Sequence, residues 1–203
     1  MPVDKRAANQ TKLSLTGWAL LTFMAVNIGL GGLRYALPRV PYPAPMPNFY
    51  VRHGWLIAHA VFSSVALLAG PWQFRSAFRR RSISAHRWIG RVYCGAVVVG
   101  WLTSLPIAAH AQTGQVASAG FLVLGALWMG TTAAGYFTIR RGQVQAHREW
   151  MMRSYALTAA AITLRLYLAL SSMTGIPFAA RYRLVAWICW IPNLAFAEWL
   201  IRR

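Results

Sequence analysis

The sequence predicts an all-α polytopic membrane bundle of about six transmembrane helices with both termini in the cytoplasm. Three observations predict it: an apolar composition, six long uncharged runs, and a lopsided distribution of basic residues. Of 203 residues, 57% are hydrophobic and only 12% charged, with a mean hydropathy of +0.41. That balance is too apolar for an ordinary soluble domain. The runs fall at about 13–33, 54–74, 88–110, 116–139, 150–173 and 184–201. Each is long enough to cross a ~30 Å hydrocarbon layer as a helix.

Sidedness follows from the residues between the runs. One side holds Lys5, Arg6, Lys12, Arg75, Arg79, Arg80, Arg81, Arg87, Arg91, Arg140, Arg141, Arg148, Arg153, Arg202 and Arg203; the other holds Arg34, Arg39, Arg52, Arg181 and Arg183. Fifteen against five puts the termini and the two basic loops in the cytoplasm. A pI near 11.6 also invites a nucleic-acid reading, but these arginines punctuate apolar runs and do not interleave with aromatics on a soluble face. Anionic lipid headgroups are the expected partner, and nucleic acid is not.

The elements read in order as follows. Basic residues precede the first run as in a signal peptide, but no small-residue cleavage site follows, so it reads as an uncleaved helix. The proline-rich stretch 37–47 cannot hold a helix and forms an extended outer loop. After the second run, the loop from Arg75 to Arg91 contains Arg79-Arg80-Arg81, where each charge contributes about 1 kcal/mol of attraction to an anionic leaflet. The uncharged break His110-Ala111-Gln112-Thr113-Gly114-Gln115 turns the third and fourth runs into an antiparallel hairpin. Cys94 and Cys189 lie at different depths of two spans, which opposes a disulfide. The whole of 1–203 reads as one integral-membrane domain.

Two strings head the third and fifth runs: His86-Arg87-Trp88-Ile89-Gly90-Arg91-Val92-Tyr93 and His147-Arg148-Glu149-Trp150-Met151-Met152-Arg153-Ser154-Tyr155. Those runs point the same way, so the two histidines are expected at one depth. At 100° per residue, His147 shares a face with Met151, Ser154, Thr158, Ala161, Arg165 and Ser172. His86 shares one with Gly90, Tyr93, Val97, Gly100 and Ser104, and His59 with Ser63, Ala66, Gly70 and Gln73. Small residues alone explain such stripes as close helix contacts. Histidine and arginine inside a span need a partner or a cavity besides.

Two neutral imidazoles at equal depth are a donor set for six-coordinate haem b, with Gly90 leaving room for a porphyrin face. Arg87, Arg91, Arg148 and Arg153 then stand ready to neutralise propionates. The same residues also read as an interfacial belt of Trp, Tyr and Arg without a cofactor. Arg165 lies ~27 Å along its helix from His147 with no carboxylate in reach. With His59 and Gln73 it forms a candidate second pocket for a quinone-like molecule. Phosphate loops, zinc sites and paired carboxylates are missing.

The two strings, with Ala156-Leu157 and Thr163-Leu164-Arg165-Leu166, resemble a family of bacterial membrane proteins known as domain of unknown function 2306, over roughly residues 50–170. The resemblance implies a multi-span membrane protein and brings no activity. The histidine pattern also looks like that of b-type transmembrane cytochromes, although His86 and His147 sit nearer the bilayer edge. The expectation is therefore a haem-binding electron-transfer protein with a redox partner. Two readings stand beside it: a non-catalytic protein binding lipid, a partner or an assembly client, and a small transporter or proton path.

Overall fold

The computed structural model describes residues 14–37 and 51–203. The proline-rich stretch expected to form the outer loop lies, beyond Leu37, outside the described residues. The described residues fold into nine α-helices: α1 Leu15–Leu33, α2 His53–Phe74, α3 Ser76–Arg81, α4 Ile83–Ala109, α5 Gln115–Arg140, α6 Val144–Thr158, α7 Ala160–Ser171, α8 Phe178–Ile188 and α9 Ile191–Arg202. Two short 3₁₀ turns, Arg34–Ala36 and Ser172–Thr174, extend α1 and α7. No strand occurs among the described residues.

Six helical stretches are long and apolar enough to cross a membrane, and they carry the six expected spans: Leu15–Ala36, His53–Phe74, Ile83–Ala109, Gln115–Arg140, Val144–Thr174 and Phe178–Arg202. Local chemistry sets their ends. Ser14 and Ser82 accept hydrogen bonds from the amides of Gly17 and Ala85, satisfying orphan donors at the starts of α1 and α4. The turns into α5 and α6 and toward α8 contain Gly114, Gly142 and Gly175 at φ of 92°, 75° and 72°, a conformation that suits glycine.

Spans five and six are each broken midway. Span five kinks at Ala159, between α6 and α7; span six breaks at Cys189-Trp190, just before Pro192 at the start of α9. Freed backbone groups in a membrane interior must find partners. Asn193 supplies them, donating Nδ2 to the carbonyls of Ala156 and Cys189 (both 3.2 Å) and to Thr163 Oγ1 (3.1 Å). Thr163 itself donates to the Cys189 carbonyl. One side chain thus ties the two breaks together.

The molecule is apolar outside and partly polar inside. Phe23, Leu30, Leu122, Phe137, Leu170, Leu184 and Phe196 are exposed, while Ser64, Thr131, Thr132, Ser154 and Thr158 are buried. A water-soluble domain would reverse this. At the centre, α2, α4, α5 and α6 form a square: α4 and α6 each pack on both α2 and α5 and stand across the diagonal from one another. Helix α1 lines the outer side of α2, and α8 and α9 pack on α5 and α6. The polar interior is therefore lined by spans two, three, four and five, one more than the three the sequence points to.

Candidate functional site

The site lies at the end of the square where α4 and α6 begin. Ser82 starts α4 and places His86 one turn in; the Gly142 turn starts α6 and places His147 likewise. His147 Nδ1 is 2.7 Å from the Gly135 carbonyl of α5. A Cβ on Gly135 would lie 2.7 Å from Met151 Sδ, so glycine is what lets α6 lie against α5 and reach that carbonyl. The contact fixes the tautomer, with hydrogen on Nδ1 and the lone pair on Nε2. His86 lies close enough to Arg79, His147 and Arg87 for their charges to act on it, and its own Nδ1 is buried without a partner.

The arginines divide. Arg79 Nη1 donates to the Gln73 carbonyl at the end of α2 (2.8 Å). Partial burial, and then the nearby charges of Arg148 and Arg80, hold its guanidinium below the usual arginine range. Arg87, Arg91 and Arg148 are exposed, as is Trp88. Arg153 is committed elsewhere: it donates to both carboxylate oxygens of Glu198 on α9 (2.5 and 3.0 Å) and stacks on Trp150. Gly90 opens toward Gln73, whose Oε1 would be 3.8 Å from a Cβ there, and Gln73 Nε2 is buried without a partner.

Two turns deeper, the two strings meet. Tyr93 on α4 crosses the diagonal to Ser154 (2.6 Å) and Thr158 (2.8 Å) on α6. From α5, Thr132 bonds Ser154 (2.7 Å) and Trp128 Nε1 donates to Thr158 (2.8 Å). Every one of these groups is buried. Tyr93, Ser154 and Thr158 were on the expected histidine faces; Thr132 and Trp128 were not singled out by the sequence reading. Threonine spacing in span four, with Thr131-Thr132 just past Trp128, was the available signal.

The second string's tyrosine has another partner. Pro71 lacks an N–H, so the Leu67 carbonyl of α2 loses its helical donor. Tyr155 supplies one, with its hydroxyl 3.1 Å away. Its ring occupies the place where a side chain at Gly70 would project.

His59 and Arg165 are at the opposite end. His59 Nδ1 is 2.9 Å from the Gly100 carbonyl and 3.3 Å from Ser63 Oγ. Arg165 is exposed, bonds the Ala161 carbonyl of its own turn (2.8 Å), and is near enough for its charge to act on His59. Gln73 lies fourteen residues from His59 along α2, so it joins the His86 end, ~21 Å away.

A buried polar lining within six apolar spans defines an integral membrane protein. The chain belongs to the domain of unknown function 2306 family, described as a predicted membrane protein, which it matches over residues 56–201. The match runs past residue 170, where the quoted strings end, and takes in α8 and α9. No curated protein and no solved structure matches the chain.

Proposed function

We propose that this membrane protein holds a b-type haem between His86 and His147 and passes electrons at the cytoplasmic face of a bacterial plasma membrane. The carrying observation is the placement of the two histidines on diagonal helices at one end of the square, close enough for their charges to interact. A carbonyl holds Nδ1 of His147, as it does for many metal-ligating histidines, and leaves Nε2 for iron. Among the described residues no three His, Cys, Asp or Glu side chains gather as a metal site would require. Haem needs only two, because the macrocycle brings four nitrogens of its own.

Arg148 would neutralise a propionate; Arg153, paired with Glu198, would not. When bound, the haem supplies one-electron chemistry, and the chain's contribution is ligation, charge and exclusion of water. The orientation rests on the fifteen basic residues of that side.

Protein purified in mild detergent from haem-sufficient cells should be red, with Soret and α bands in the dithionite-minus-air spectrum. His86→Ala and His147→Ala should each lose the six-coordinate spectrum while eluting like the parent. Colourless, well-folded protein would overturn the reading. It would favour the second one, a lipid- or partner-binding protein, which the exposed Arg87, Arg91 and Trp88 support.

A further inference from the structure

Two buried side-chain nitrogens near the motif end have no hydrogen-bond partner. Gln73 Nε2 and His86 Nδ1 are both out of contact with solvent and without a hydrogen-bond partner. A buried amide or imidazole nitrogen left unpaired inside a membrane protein is destabilising. They belong to one place. Gln73 faces Gly90, one turn after His86 on the same face of α4; Arg79 bonds the Gln73 carbonyl and lies within reach of His86's charge.

What this notch offers is donors. The Gln73 amide, the His86 ring and the guanidinium of Arg79 present N–H groups, and the nearest further charges, Arg148 and Arg80, are also positive. The described carboxylates are engaged elsewhere, Glu198 by Arg153 and Glu149 by Gln145. A half-buried cation cluster with unpaired donors and no acid is matched by an anion that has several acceptor oxygens.

We propose that the notch formed by Gln73, Arg79 and His86 is a binding site for a phosphate group. The oxygens would accept from Gln73 Nε2, His86 Nδ1 and the Arg79 guanidinium together. Two sources carry that chemistry, an anionic lipid headgroup of the adjoining leaflet and free phosphate. The site does not depend on haem: it uses Nδ1 of His86 and leaves Nε2 free, and it would supply the partner that Nδ1 lacks.

The test compares thermal unfolding of the full-length protein in maltoside micelles, which carry no phosphate, and in the same micelles with added phosphatidylglycerol. Inorganic phosphate is titrated against chloride at constant ionic strength into the first set. Phosphate-group binding should raise Tm by roughly 4 °C or more at saturation. A gain with phosphatidylglycerol only assigns the lipid; a gain with inorganic phosphate as well assigns the free ion.

Gln73→Leu and Arg79→Gln should abolish the gain. In maltoside alone, Gln73→Leu should be at least as stable as the parent, because it removes an unpaired buried amide; a merely structural glutamine would give the opposite. Equal Tm in every micelle and buffer, or a gain that survives Gln73→Leu, would overturn the proposal. The absorbance spectrum of the same samples reads haem separately, so colourless protein that still gains stability from phosphate sinks only the haem reading.

Discussion

Tyr155 ends on a carbonyl that a proline has left without its helical donor. Tyr155→Phe should therefore cost about 1 kcal/mol of stability, read as a lower Tm in detergent, since Leu67 then keeps a buried, unpaired oxygen. In a Pro71→Ala background the restored amide satisfies that oxygen, so the same substitution should cost much less. A double-mutant cycle checks the coupling, and equal costs in both backgrounds would show that the hydroxyl bond contributes nothing. Residue roles of this kind were only half legible in the sequence. Tyr93 and Tyr155 end the two histidine strings and were visible there, but what each hydroxyl meets depends on neighbouring helices. Arg153 is the converse case: its string placed it beside His147, and only the fold brings Glu198 to it from forty-five residues away.

At the scale of helices, glycine faces decide approach. In α1, a Cβ on Gly32 would overlap Ser64 Oγ of α2, whereas one on Gly31 would meet nothing within 4 Å. Gly32→Ala should lower stability by about 1–3 kcal/mol through overpacking. Gly31→Ala should be neutral or raise it by up to ~1 kcal/mol through helix propensity. Thermal unfolding of the pair separates packing from propensity; equal effects would mean that α1 does not dock through this face. Span positions were legible in the apolar runs, but each run reads as one continuous rod. The Ala159 break explains the departure of Arg165: the face was projected from His147 without interruption, and the chain restarts as α7 midway. Ser154 and Thr158, before the break, are buried, while Arg165, after it, is exposed. Alanine carries no breaking signal, so the kink is set by packing around Asn193 and Thr163 and could not be read locally.

Across the whole molecule, six spans and their order were legible because apolar length and turn glycines are properties of the chain itself. Where the two histidine faces point was not, since it depends on how four helices rotate about the square. Sidedness has its own test. With the basic end in the cytoplasm, cysteine at exposed Gln143 should resist a membrane-impermeant thiol reagent in intact cells, and cysteine at exposed Met173 should react. Native Cys94 and Cys189 lie inside spans and should stay silent. The reverse pattern would invert the bundle. The hydroxyl cluster at its middle matters in another currency. Tyr93, Val97, Trp128, Ser154 and Thr158 fill the space between the two ends, and their polar atoms satisfy one another. Each of these bonds joins two helices, so together they tie α4, α5 and α6 at mid-depth. The cluster works as a rivet: the two ends of the bundle cannot slide past one another without breaking several of its bonds at once.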